Sequence, residues 1–93
     1  GEMKYALDEL SGCIPGGESP EGEVLRQELL ASVSAFLGKL PETERSVFLC
    51  RYWYFDSAED IAANFGFSSG KVRSMLHRTR KKLQNHLKEE GLL

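Results

Sequence analysis

Ninety-three residues, 41% hydrophobic and 28% charged, allow one small core, exclude two, and are too apolar for a disordered tail. The net charge of −2 conceals a division: residues 1–44 carry three basic and nine acidic side chains, net −6, and residues 45–93 carry nine and five, net +4. The local field, not the total, decides what a polyanion meets, so the acidic balance does not exclude a phosphate backbone as partner.

Residues 1–19 read as a linker or extended arm. Tyr5, Leu7 and Leu10 give it some apolar grip, but Cys13-Ile14-Pro15-Gly16-Gly17-Glu18-Ser19-Pro20 is a turn-rich break that no helix crosses. Gly16-Gly17 lacks the Lys-Ser or Lys-Thr that follows in a phosphate-binding loop, which leaves it a flexible joint. A domain is expected from residue 20 to residue 93. Ser19 and Pro20 make a helix start, with Glu21 and Glu23 in its positive first turn. That helix runs to about Gly38 and sets Leu25, Leu29, Val33, Phe36 and Leu40 on one side, expected to face the core.

Pro41 opens the next helix, which carries an aromatic-rich face as far as Phe55. Most of these rings are expected in the core, as the main source of buried area. Arg51 lies on the inward side with Val47 and Tyr54, and is expected to pair with Glu59 or Asp60 and clamp the corner.

Ser57 stands three residues ahead of Asp60 in a capping-box pattern, and Ala58, Ile61, Ala62 and Phe65 repeat with helical spacing. The stretch predicts one short helix of about two and a half turns. Gly66 suits the left-handed conformation of a turn, Phe67 can fold back into the core, and Ser68 or Ser69 can cap the helix that follows.

From Gly70 to Lys88 that last helix carries seven Lys or Arg residues and no Asp or Glu. At about 100° per residue, Val72, Leu76, Thr79, Leu83 and Leu87 form one apolar stripe, and Arg73, Ser74, His77, Arg78 and Lys81 fall on the opposite side. Short helix, glycine turn and basic helix compose a helix-turn-helix whose outward donors suit a DNA groove. The same pattern leaves open a structural αα-corner with no DNA role. The fold class is all-α: a small four-helix domain containing this motif.

Catalytic and metal chemistry find no footing. Cys13 and Cys50 have no second thiol or histidine at ligand spacing, and His77 and His86, nine apart on one helix, point in different directions. No carboxylate pair or triad is visible, so neither an enzyme nor a cofactor is expected. No stretch approaches a membrane span and no secretory leader is visible.

Four segments, Leu40-Pro41-Glu42-Thr43-Glu44-Arg45, Phe48-Leu49-Cys50-Arg51-Tyr52, Glu59-Asp60-Ile61-Ala62 and Gly70-Lys71-Val72-Arg73-Ser74-Met75-Leu76-His77-Arg78-Thr79-Arg80-Lys81-Lys82-Leu83, resemble region 4 of bacterial RNA polymerase sigma factors. The likeness is greatest to the extracytoplasmic-function type and covers about residues 20–90. The lead from Ala6 to Pro20 is similar to the linker between regions 2 and 4 in that group. Met75 departs from the family, which often has a basic or polar residue there, as does Asn64-Phe65, where a pair ending in Leu or Met is usual. Nothing like region 2 is present, so the chain is expected to be a fragment of a longer protein, and Met3 need not be its natural start.

The resemblance implies a cytoplasmic promoter-recognition module, nucleoid-associated when bound to polymerase. Its last helix would enter the major groove of the −35 element while the first helices hold the polymerase β-flap. Base reading would fall to Arg73, Ser74, His77 and Arg78, with the two arginines forking to guanine. Phosphate contacts would come from Ser68, Ser69, Lys71, Arg45, Arg80 and Lys81. Phe36, Leu37, Val47 and Phe48 would form the groove for the flap, and an anti-sigma factor would cover the same surfaces. Two rivals remain: a LuxR-type output domain, which the run from Leu76 to Leu83 fits less well, and a helical adaptor that uses Trp53, Tyr54 and Phe55 as an exposed anchor and never touches DNA. Salt separates the adaptor from the DNA readers, because only phosphate contacts weaken steeply with ionic strength.

Overall fold

The structure, a computed structural model, describes residues 1–13 and 22–93, with the backbone alone for 22–25. The expected glycine joint at Gly16-Gly17 and the helix start at Ser19, Pro20 and Glu21 lie outside the described residues, as do the side chains of Glu23 and Leu25. The described residues form five helices and no strand: α1 Glu2–Ser11, α2 Gly22–Lys39, α3 Glu42–Tyr52, α4 Ala58–Phe65 and α5 Ser69–Glu89. Four of them fall where the sequence places helices, and α1 forms inside the stretch expected to be an extended arm. Its inner face explains why: Ala6 is fully buried, and Leu10, one turn on, packs half-buried against the same core.

α5 is the spine, and α2, α3 and α4 all pack against it. Its buried stripe comprises Val72, Leu76, Thr79, Leu83 and Leu87, as the spacing predicts, with Met75 added. Met75 is 8% exposed, a core residue and not an outward-facing one. Ile61 from α4 and Val47 from α3 meet that stripe at the centre of the core. Phe36 from α2 and Leu40 just past its end close it, with Leu29 and Val33 half-buried on the same helix. A polar tie joins the far ends, where His86 Nε2 lies 2.9 Å from Ser32 Oγ and 3.1 Å from the Ser32 carbonyl oxygen.

α3 ends at Tyr52, earlier than the aromatic run suggests. The Trp53 and Tyr54 N–H groups both donate to the Leu49 carbonyl, at 2.9 and 3.2 Å, and Phe55 then turns the chain at a φ of 58°. Phe48 and Tyr52 stay in the core with ring centroids 4.8 Å apart, edge to face. Phe55 packs half-buried against the core, but Trp53 and Tyr54 lie beyond the helix end, 71% and 69% exposed, instead of on its inner face. Among the described residues no helix is long and apolar enough to cross a membrane.

Candidate nucleic-acid interface

Local signals build the corner between α4 and α5. Ser57 Oγ accepts the Asp60 N–H at 3.1 Å and starts α4. Gly66 ends it at φ 72° and ψ 29°, the left-handed conformation expected from the sequence. Its N–H and that of Phe67 both donate to the Ala62 carbonyl, the latter at 2.9 Å, so the orphan carbonyl at the helix end is satisfied. Ser68 Oγ then accepts the Lys71 N–H at 3.1 Å, which makes Ser68 the cap and Ser69 the first residue of α5.

Arg73, Ser74, His77, Arg78 and Lys81 are all exposed on the side of α5 away from its buried stripe. The row extends over about 12 Å of helix, a length comparable with three or four base-pair steps. Arg73 pairs with Glu59 across the corner, through side chains 59% and 62% exposed. So solvated a pair contributes little and exchanges readily. The Glu59 carboxyl is held below its ordinary value, first by its own backbone N–H and then by Arg73. Lys71 is exposed at the start of α5 with Nζ 4.1 Å over the Phe67 ring, which steadies its long stem. Arg45 is half-buried on the first turn of α3.

Arg80 departs from the row. Its side chain is 20% exposed, with Nη1 donating to Tyr52 Oη at 2.6 Å and lying 3.6 Å from Glu9 Oε1. The guanidinium expected to clamp phosphate is therefore already engaged, by α3 and α1.

Arg51 also has partners the sequence does not predict. It is 5% exposed and binds neither Glu59 nor Asp60. Nη1 donates to Glu2 Oε2 at 2.7 Å and to the Asp56 carbonyl at 2.9 Å. Nε and Nη2 fork onto the two oxygens of Glu9 at 3.2 and 2.8 Å, the bidentate geometry that suits a guanidinium. The reason is the packing of α1 on α3, which brings Glu2 and Glu9 over Arg51 while Glu59 is taken by Arg73. Glu2, Ala6 and Glu9 share a face at helical spacing, and that signal was present in the sequence. Burial raises the Glu9 carboxyl, but hydrogen bonds from Arg51 and Tyr52 outweigh it and hold the group below its ordinary value. The Tyr52 hydroxyl moves up, chiefly through burial.

The expected flap groove is not open. Phe36, Val47 and Phe48 are 7%, 1% and 5% exposed, because they are the residues with which α2 and α3 pack on α5. Of the four, only Leu37 is half-buried. Among the described residues no group of His, Cys, Asp and Glu could hold a metal ion.

The family described as Sigma-70, region 4 matches residues 30–83, a span that contains the whole corner and most of α5 but not α1. The RNA polymerase sigma-E factor of Streptomyces coelicolor is 37% identical over 71 residues, 75% of this chain and 40% of that protein. Its counterpart in Streptomyces avermitilis is 40% identical over 53 residues, 57% of this chain and 30% of that protein. The chain thus spans less than half the length of these curated relatives. No solved structure matches it.

Proposed function

The chain belongs to the sigma-70 region 4 family, and from that premise we propose that it reads the −35 element of a promoter and brings RNA polymerase to it. The observation that carries this reading is the row Arg73, Ser74, His77, Arg78 and Lys81, exposed on α5 and backed by a stripe buried in the core. Arg78 and Arg73 fork to guanine O6 and N7, Arg73 by giving up its solvated partner Glu59. Ser74 and His77 reach neighbouring base edges. Ser69 and Lys71, with the N–H groups at the start of α5, hold one phosphate; Ser68 contributes its hydroxyl proton, since its oxygen already caps the helix. Arg45 and Lys81 serve the backbone on either side.

The polymerase contact falls to the edge of α2 that stays accessible, where half-buried Leu37 and 59%-exposed Leu30 lie two turns apart. An anti-sigma factor would be complementary to the same surfaces. The exposure of Trp53 and Tyr54 favours one second reading, a helical adaptor that binds protein alone.

Binding of fluorescently labelled duplexes, chosen by selection from a random pool, tests the choice. Arg73→Ala and Arg78→Ala are each expected to cost about 1–3 kcal/mol on the selected duplex and to relax preference at one base position. Lys81→Ala is expected to weaken all duplexes alike. Equal losses on selected and random DNA for all three would refute base reading, and no duplex binding at all would favour the adaptor.

A further inference from the structure

Helix α1 is acidic, with Glu2, Asp8 and Glu9 against Lys4, and it packs on α3 so that its acidic side faces the cationic edge of α5. An open cleft of about 480 Å³ separates the two, with Glu2, Asp8 and Glu9 on one wall and Arg80 and the Arg73–Glu59 pair on the other. Glu9 is the centre of the contact: Oε1 accepts from Tyr52 Oη at 2.9 Å and lies 3.6 Å from Arg80, and the whole carboxylate receives the Arg51 fork. Farther along, Gln84 Nε2 donates to the Gly12 carbonyl at 3.2 Å and ties the end of α1 to α5.

The apolar hold is small by comparison. Ala6 is buried and Leu10 half-buried, but Met3, Tyr5 and Leu7 face solvent at 57%, 58% and 48% exposure. The Arg51 part of that hold is buried on α3, but the part on α5, Glu9 beside Arg80, can be exchanged for another oxyanion that guanidinium binds as well or better, and a duplex presents a row of them.

We propose that α1 is an acidic strap that competes with duplex phosphates for Arg80 and for the Arg73 edge of α5, so that DNA binding and release of α1 are linked. The inference rests on the reading of α5 as a DNA helix. With α1 docked, Arg80 is occupied and three carboxylates stand where a phosphate backbone would approach. With α1 released, Arg80 keeps only the Tyr52 hydroxyl as partner, and the repelling charge leaves. The apparent affinity of the chain is then its intrinsic affinity reduced by the fraction with α1 undocked.

The test uses the whole chain, a selected duplex, and hydrogen exchange of the α1 amides with and without DNA. Glu9→Gln weakens the hold on Arg51 and Arg80 and is expected to raise duplex affinity roughly tenfold. Asp8→Asn removes one cleft charge without touching that network, and is expected to raise affinity about threefold. Adding Arg80→Ala to Glu9→Gln is expected to abolish most of the gain, and saturating duplex is expected to strip protection from α1 in the parent. If the parent binds DNA in an Arg78-dependent way, yet α1 stays protected in the complex and neither charge variant binds more tightly, the strap is overturned and the DNA reading stands. Should Glu9→Gln fail to fold by circular dichroism, Asp8→Asn and the exchange data decide. Absence of duplex binding by every variant overturns both.

Discussion

Phe55 holds the chain at φ 58° where α3 gives way to α4, a conformation that costs an L-residue roughly 1–2 kcal/mol. Its half-buried ring, packed on the core, offsets that strain. The two contributions can be separated by removing the ring in both variants: Phe55→Gly is expected to be about 1 kcal/mol more stable than Phe55→Ala in urea unfolding, because only glycine also relieves the backbone. Gly66 is the converse case. At φ 72° it has open space where a Cβ would stand, so substitution meets no clash and its whole cost is backbone strain. Gly66→Ala is expected to lose about 1 kcal/mol and Gly66→Val more, read as a lowered melting temperature, with the α4–α5 angle preserved in the alanine variant.

At the scale of the element, α1 is the helix whose place depends on charge. The Glu9 carboxyl is lowered in the folded chain relative to its ordinary value of 4.5, so the undocked state takes up the proton more readily. Docking is therefore fully supported above about pH 4.5 and lost as the pH falls through the lowered value, an expectation that exchange or backbone NMR of α1 against pH can check. Arg51→Ala is expected to detach α1 at neutral pH and to cost roughly 2 kcal/mol, moderated because Glu2 and Glu9 regain water. The sequence made α4 and α5 legible because their determinants are local: Ser57, Gly66 and Ser68 act on groups within four residues of themselves. α1 was not legible because its partner Arg51 is 42 residues from Glu9 and 49 from Glu2: the helical spacing of Glu2, Ala6 and Glu9 marks a face, but a stretch ending in glycines and prolines does not say what that face meets. Arg80 was misplaced for the same reason. Its position on α5 is right, but the carboxylate that turns it inward belongs to the element that was missed.

Over the whole molecule, the acidic front and basic back predicted from composition become neighbours, since α1 faces the edge of α5 across an open cleft. A face with about four to six phosphate contacts implies a log–log salt slope of about −4 to −5, and isolated binding is expected to be weak for a single helix-turn-helix. Nanomolar, salt-insensitive binding in a titration would contradict that account. The expected flap groove failed at this same scale. Val47 and Phe48 lie on an apolar face that suits a partner as well as a core, and only the packing of α3 on α5 decides that it is core. The exposure of Trp53 has an optical consequence. It is the chain's one tryptophan and is 71% exposed, so its indole is already hydrated in the folded state. Unfolding is expected to leave its emission maximum almost unmoved while helical circular dichroism collapses, and a blue shift in the folded chain would report a protein surface closing over the α3–α4 turn.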